Sequence, residues 1–522
     1  MGGRLFARKP VASVQQELHS GELKRTLGPF NLVSLGVGAI IGAGIFVMTG
    51  SAAATYAGPA VAISFVIAGI ACTFAALCYA ELASTIPVSG SAYSYAYITM
   101  GEVFAWSMGW LLLLEYGLAA STVAAGWTGY VVSLLHDFGV IIPPHLSESM
   151  LQFQDGALVN TGHFNLVGAL GILAVTLLLI VGVSESASVN NIIVVIKVVV
   201  LLAFIAIGVT YVSPDNWVPF VPPNEGGAHF GPQGVLRAAS VVFFAYVGFE
   251  AVSTAAGEAR NPQRDLPIGI LGSLVICTVI YMAVAMVMTG VVPFRELGVP
   301  APIAVAIDRM NPEWAIIPWG TSETGTLNVL SLLIKIGAFA GLTSVMLVLI
   351  YAQTRVFYQM ARDGLIPSFF SHIHKTFKTP AAGTLVLGIL IAIAAATLPL
   401  GVLGDLVSLG TALAFAIVCI SVMYMRSAHP EIARPFKVPL YPITPILGVI
   451  ACVMFMMGPI LIGLLSQATG VDYWAVIFGG TGTVTREYLP TILLVSYIVI
   501  GALVYAFYGF RNSKLTHTEA PK

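Results

Sequence analysis

The chain has 522 residues, of which 57% are hydrophobic and only 9% charged, with a net charge of −1. Soluble domains carry about 25% charged residues, so this composition and a mean hydropathy of +0.91 exclude a water-soluble globular protein and place most of the chain in a lipid bilayer. The near-zero charge also excludes a nucleic-acid surface or an acidic tail.

Residues 1–30 are polar and carry Arg4, Arg8, Lys9, Lys24 and Arg25 without the apolar stretch of a signal peptide. A retained first helix behind a cytoplasmic N-terminal segment is expected. Apolar runs of about 20 residues then predict an all-α polytopic membrane protein of twelve transmembrane helices. The runs lie near 31–55, 59–81, 103–131, 164–183, 190–211, 236–257, 268–291, 327–353, 382–399, 405–425, 442–466 and 488–508. No charged linker separates them. Seventeen of the 23 Lys and Arg residues fall on the segments that share a side with the N-terminus, against four on the other side, Arg237, Arg295, Arg309 and Arg486. That asymmetry predicts cytoplasmic termini.

The five cysteines all fall within apolar runs, so a disulfide framework is not expected. The nine histidines lie outside the run cores and no HExxH or CxxC occurs, so no metal site or other cofactor is expected. The glycine-rich stretch GVGAIIGAGIFVMTG, Gly36 to Gly50, does not follow a soluble strand, which excludes dinucleotide and P-loop readings.

That stretch has two other readings. Gly38 and Gly42 form a GxxxG pair, which lets transmembrane helices pack closely. A second irregular segment argues for more. In the sixth run, VVFFAYVGFEAVSTAAGEARNPQRDLP, Gly248 and the acid Glu250 interrupt an apolar helix. The first and sixth runs cross in opposite directions, and interrupted helices at matching positions of inverted halves point to a transporter binding site. The backbone groups freed by such breaks are tolerable only around a cavity or polar partner.

Four ionisable residues lie well inside the runs: Glu115, Lys197, Glu250 and Lys335. Such residues are functional-site candidates by default. Lys335 is close enough to the outer end of the eighth run to snorkel to water, a structural or vestibular reading. Glu115 reads either as a distal pocket residue receiving a cationic side chain or as the partner of a neighbouring donor. Glu250 follows the break, where a carboxylate caps the second half-helix favourably; substrate contact is the compatible alternative. Lys197 has only apolar neighbours in NNIIVVIKVVVLLAF, and burial disfavours a lysine's charged form, which makes its protonation switchable.

The runs GVGAIIGAGIF, ASTIPVSGSAYSYAY, FFAYVGFEAVSTAAGEARNPQRDLP and YAQTRVFYQMARDGLIP resemble the amino acid–polyamine–organocation (APC) superfamily, most of all the bacterial relatives of the cationic amino acid transporters. The resemblance implies a LeuT-like fold, five-plus-five inverted repeats with helices 1 and 6 broken. It implies a transport core over 31–425, helices 11 and 12 over 426–508 and a cytoplasmic tail over 509–522. It also implies proton-coupled uptake of α-amino acids across the cell membrane, without enzymatic activity. The substrate carboxylate suits the amides of Gly42, Ala43 and Gly44 at a half-helix N-terminus. The ammonium suits freed carbonyls of Ile40 and Ile41, matched by resemblance with those of Phe244, Ala245 and Val247. Phe244 also looks like the aromatic gate of relatives. Lys197 resembles a tethered substitute for sodium in proton-coupled relatives, with Thr343 and Ser344 as the matching hydroxyls. Cationic substrates such as arginine, lysine or ornithine are the first expectation, and a small neutral, alanine-type substrate the alternative. A channel lacks the continuous polar lining it needs, and a non-transporting sensor or subunit stays open. The expected partners are the amino acid, protons and the lipid bilayer.

Overall fold

The computed structural model describes Arg8 and residues 27–87, 91–154, 157–182, 187–318, 326–456, 458, 462 and 489–514. Nearly all of the expected N-terminal segment, the eleventh run beyond 458 apart from residue 462, and the tail after 514 lie outside the described residues.

The described chain is mostly helical. Eight stretches are long and apolar enough to cross a membrane, and four further apolar helices are shorter. In chain order the helices used below are α1 (Pro29–Ile40), α2 (Val61–Thr85), α3 (Ser91–Thr99), α4 (Glu102–Asp137), α5 (Leu166–Val181), α6 (Ala187–Gly208), α7 (Gly231–Val242), α8 (Pro262–Val291), α9 (Pro302–Met310), α10 (Val329–Arg362), α11 (Ala381–Thr397), α12 (Leu400–Ala428), α13 (Ile443–Ile450) and α14 (Leu489–Val504). The strands form two antiparallel hairpins, β1 (Leu151–Gln154) with β2 (Ala157–Asn160) and β3 (Ile316–Pro318) with β4 (Thr326–Asn328).

Local sequence accounts for many boundaries. Proline stands in the first turn of α1, α8 and α9, where its missing N–H costs nothing. Asn165 caps α5 through Gly168 N–H at 2.8 Å, and Asn328 caps α10 through Ser331 N–H at 3.1 Å. The 42-residue apolar stretch Gly44–Thr85 is not one rod. It reverses at Gly58, whose φ of 58° is followed by Pro59. Before the turn the chain runs antiparallel to the α7 segment, with Gly44 against Ala245 and Tyr56 O accepting from Phe230 N–H. After it, α2 runs parallel to the same segment, with Ser64 bonded to Val235 O and Tyr79 packed on Phe249.

Two ends of the bundle can be distinguished. At the hairpin end, Met150 N–H and Asn165 N–H both reach Ala396 O. There Lys335 Nζ pairs with Asp137 at 2.8 Å and Asp308 at 3.0 Å. At the other, terminal end, Leu27 pairs with the backbone of Glu258 and Arg260, and Lys514 N–H donates to Asp363 O.

This arrangement changes two expectations. Lys335 does not itself reach water: its side chain is 1% exposed and is compensated by Asp137 and by the half-exposed Asp308. Arg237, counted above with basic residues of an outer segment, is buried in α7 and forms a bidentate pair with Asp405 of α12. In both cases a carboxylate distant in sequence replaces solvent.

Candidate functional site

The first interruption follows α1. Ile41 is extended (ψ 97°), and helical turns resume at Gly44. The second follows α7: a 3₁₀ turn over Phe243–Tyr246 ends at Val247, Gly248 takes φ 120°, and helical turns resume at Ala251. The two breaks touch. A Cβ on Gly44 would stand 2.2 Å from Ala245 Cα, and one on Gly248 would stand 2.7 Å from the Ala39 carbonyl carbon. The missing side chains of these two glycines are therefore used for backbone-to-backbone contact, so Gly44 is occupied on that side by the second break and not by an open approach. Gly42 is less confined, with Val345 3.2 Å from an added Cβ.

Ending a helix frees the carbonyls that would have accepted from the next turn, and each must find another donor when buried. Gly38 O, which an unbroken helix would bond to residue 42, accepts from Lys197 Nζ at 3.0 Å. Ile40 O and Ala245 O, freed by the first and second breaks, both face the hydroxyl of Tyr281 on α8, at 2.8 and 3.1 Å. Phe244 O is taken locally by Val247 N–H at 3.1 Å. The amides of Gly42, Ala43 and Gly44 stand at the start of the second half, where helix geometry leaves donors without intrahelical acceptors.

Of the expected site residues, the structure thus gathers Ile40, Gly44 and Ala245 at one point, with Ile41, Gly42, Ala43, Phe244 and Val247 in the same two breaks, all buried. Tyr281 was not foreseen. It sits in an apolar run and reads as a core aromatic, and nothing in its flanks signals that its hydroxyl joins the two breaks.

Lys197 is buried on α6, its stem lying against Gly341 of α10 at 3.0 Å from that residue's notional Cβ. Its ammonium holds α1 one turn before the break. Of the expected hydroxyls, Thr343 Oγ1 accepts from Trp127 Nε1 at 2.9 Å and donates to Phe339 O, and Ser344 is buried on α10.

The two acids diverge. Glu250 Oε2 accepts from Gly248 N–H at 2.9 Å, so the carboxylate folds back on its own break. Glu115, on α4, is fully buried with neither carboxylate oxygen hydrogen-bonded among the described residues. It lies within electrostatic reach of Glu250, Tyr79 and Tyr116. Thr411 stands opposite, although its hydroxyl meets no hydrogen-bond geometry.

A family profile described as Amino acid permease matches residues 27–483. The chain belongs to the amino acid permease family of the APC superfamily. This permease is 41% identical over 511 residues to a methylthioribose transporter of Bacillus subtilis, covering 98% of this chain and 99% of that protein. It is 40% identical to a branched-chain amino acid permease of the same organism, covering 99% of this chain and 100% of the relative. A vacuolar cationic amino acid transporter 4 of Arabidopsis thaliana is 37% identical over 82% of this permease and 68% of the relative. The family is one of transporters, not enzymes, and with its apolar helices the permease is a multi-pass membrane protein.

Proposed function

We propose that this permease takes up α-amino acids with protons by alternating access, with the meeting point of the two breaks as the substrate site. The carrying observation is that Ile40 O and Ala245 O converge on one hydroxyl, that of Tyr281. Two carbonyls and, a turn away, the amides of Gly42, Ala43 and Gly44 suit an ammonium and a carboxylate at the fixed separation of an α-amino acid. In this reading the substrate ammonium replaces the tyrosine hydroxyl. Ile41, Val247 and the Phe244 ring line the same place.

The frame we infer has twelve spans in a LeuT-like five-plus-five repeat, with the core over 31–425, two helices over 426–508 and both termini cytoplasmic in the plasma membrane. Of the twelve runs, the first two share the stretch Gly44–Thr85 after the break at Ile41, and the fourth, ninth and eleventh correspond to shorter apolar helices among the described residues. Lys197 is the coupling residue: charged, it ties α6 to α1 through Gly38 O, and neutral, it loosens that tie. Ser344 of α10 is kept in this reading as the matching hydroxyl, while Thr343 is taken by Trp127 and Phe339 O.

For the side-chain end we favour a neutral substrate. Glu250 is engaged by Gly248 N–H, and the branched-chain permease matches over its whole length. Cationic substrates are the second reading, favoured by the uncompensated carboxylate of Glu115. The test is uptake into proteoliposomes under an inward proton gradient, with leucine, valine, alanine, arginine, lysine and methylthioribose as competitors. Inhibition led by leucine, valine or alanine supports the neutral reading. Inhibition led by arginine or lysine transfers it to the cationic one, and inhibition by methylthioribose alone refutes the α-amino acid site.

A further inference from the structure

Two of the sequence runs that carry the family resemblance, ASTIPVSGSAYSYAY and YAQTRVFYQMARDGLIP, have no part in the two breaks. At the terminal end both meet one element, the segment Tyr505–Lys514 that follows α14. The second run closes α10: Asp363 is its C-cap, and Gly364, at φ 85°, lets Leu365 N–H return to Met360 O at 2.9 Å. A Cβ on Gly364 would stand 2.3 Å from Asn512 O, and one on Gly509 would stand 3.2 Å from Leu365 O. Lys514 N–H donates to Asp363 O at 3.1 Å. This corner is therefore shaped to receive the segment, backbone against backbone.

The first run forms α3, whose tyrosines divide between two faces. Tyr93 and Tyr97 are four residues apart and share a face, with ring centres 5.8 Å apart. Tyr93 Oη donates to Asp363 Oδ2 at 2.8 Å, and Tyr97 Oη donates to Glu102 Oε2 at 3.1 Å. Glu102, fully buried at the start of α4, also accepts from Tyr505 Oη at 3.0 Å and from Ser513 Oγ. A buried carboxylate is tolerable only with such donors, and two of these three hydroxyls come from the segment after α14. Tyr95, two residues from each of the other tyrosines, lies about 200° round the helix at about 100° per residue. Its buried hydroxyl lies against Ser253, in the helical turn Ala251–Thr254 that follows the break at Gly248. One face of α3 thus meets the segment after α14, and the other meets the far side of the second break.

We propose that Tyr505–Lys514 is a regulatory strap. Docked on Glu102 and Asp363, it pins α3, and α3 holds the half-helix after the second break, so the docked strap slows opening toward the terminal end. Lifting the strap takes Tyr505 and Ser513 from Glu102 and frees α3 and Ala251–Thr254 to move together. The strap residues act through α3 and touch no substrate; they are positioning residues. The inference rests on the alternating-access reading but not on which substrate is carried.

The test is hydrogen–deuterium exchange on the purified permease in detergent, with no substrate present. Tyr505→Phe with Ser513→Ala removes both strap hydroxyls and leaves Glu102 and Tyr97 in place. Amide exchange is expected to rise about three-fold in 505–514, α3 and 251–258 together, with α9 at the hairpin end unchanged. A rise confined to 505–514 makes the segment an anchor for α14 alone and overturns the proposal. No rise, or an equal rise in α9, overturns it too. Initial uptake of the preferred amino acid in proteoliposomes at matched density is expected to rise about two-fold, as when a conformational step limits the cycle. Unchanged or lower uptake beside the three-segment exchange pattern overturns the strap's role as a brake. Wild type that takes up no amino acid counts against the proposed substrate site, and the exchange pattern still decides the strap. Should the double variant fail to fold, Tyr505→Phe alone leaves Ser513 on Glu102 and is expected to give the same three-segment pattern at a smaller amplitude. Confinement to 505–514 then overturns the proposal.

Discussion

Gly44→Ala is the sharpest perturbation of the site because it adds one methyl group where the two breaks meet. That methyl would lie 2.2 Å from Ala245 Cα and 2.3 Å from Ala245 Cβ. Ordinary carbon contacts are about 3.5–4.0 Å, so the breaks must separate by about 1.3–1.8 Å. Backbone cannot rotate aside as a side chain can, and overpacking of this kind costs about 1–3 kcal/mol. If that cost falls on the closed, substrate-holding arrangement, transport drops roughly 5- to 150-fold at about 1.4 kcal/mol per factor of ten. Two other glycines calibrate the effect. Gly42→Ala meets only the Val345 methyls at 3.2 Å, should lose less, and should recover with Val345→Ala. Gly401→Ala meets nothing within 4 Å and should transport normally, with stability unchanged or raised by up to about 1 kcal/mol. The assay is initial uptake in proteoliposomes at matched protein density, with thermal unfolding of the purified variants alongside. Wild-type uptake by Gly44→Ala would refute the argument that the breaks act as one closely fitted unit.

Lys197→Ala should abolish accumulation driven by a pH gradient while leaving substrate binding measurable; accumulation at wild-type level would remove Lys197 from the coupling step. Wild-type uptake should rise as external pH falls, collapse with a protonophore and ignore sodium, and a sodium requirement would contradict the tethered-cation reading. Glu250→Gln retains an acceptor for Gly248 N–H, so leucine uptake should fall less than three-fold, whereas a selective loss of arginine uptake in Glu115→Gln would favour the cationic reading. Trp110 and Tyr497 exchange reciprocal hydrogen bonds to each other's carbonyls, at 3.0 and 2.6 Å, with stacked rings. Trp110→Phe and Tyr497→Phe should each cost about 1 kcal/mol, and the double variant less than their sum, as read by thermal unfolding in detergent.

The interruptions were legible because their causes are local: glycine at 42, 44 and 248 in otherwise apolar runs, with an acid two residues after the last. Glu250 was legible as a residue of the break, but its bond runs back two residues to Gly248 and it makes no side-chain cap to the half-helix that follows. What escaped is non-local. Arg237 finds Asp405 across 168 positions, Arg426 finds Glu81 across 345, and Tyr281 reaches Ile40 across 241. Hydropathy marks where a charge or hydroxyl enters the bilayer, but the partner that makes it tolerable is chosen by tertiary packing. Gly44 shows the same limit from the other side: its position was noticed, but whether its open face meets a ligand or another helix depends on where Ala245 folds.

The convergence of Ile40 O and Ala245 O has a practical corollary for mutational mapping. Main-chain oxygens are identical in every residue, so replacing either residue with another leaves the acceptor in place. An alanine scan would pass over these two proposed contacts in silence, and Ala245 is already what such a scan installs. Sensitivity would surface instead at neighbours that set the path of the chain, the glycines above all. In this permease a tolerant position can still be a point of contact, and an intolerant one need never meet the cargo.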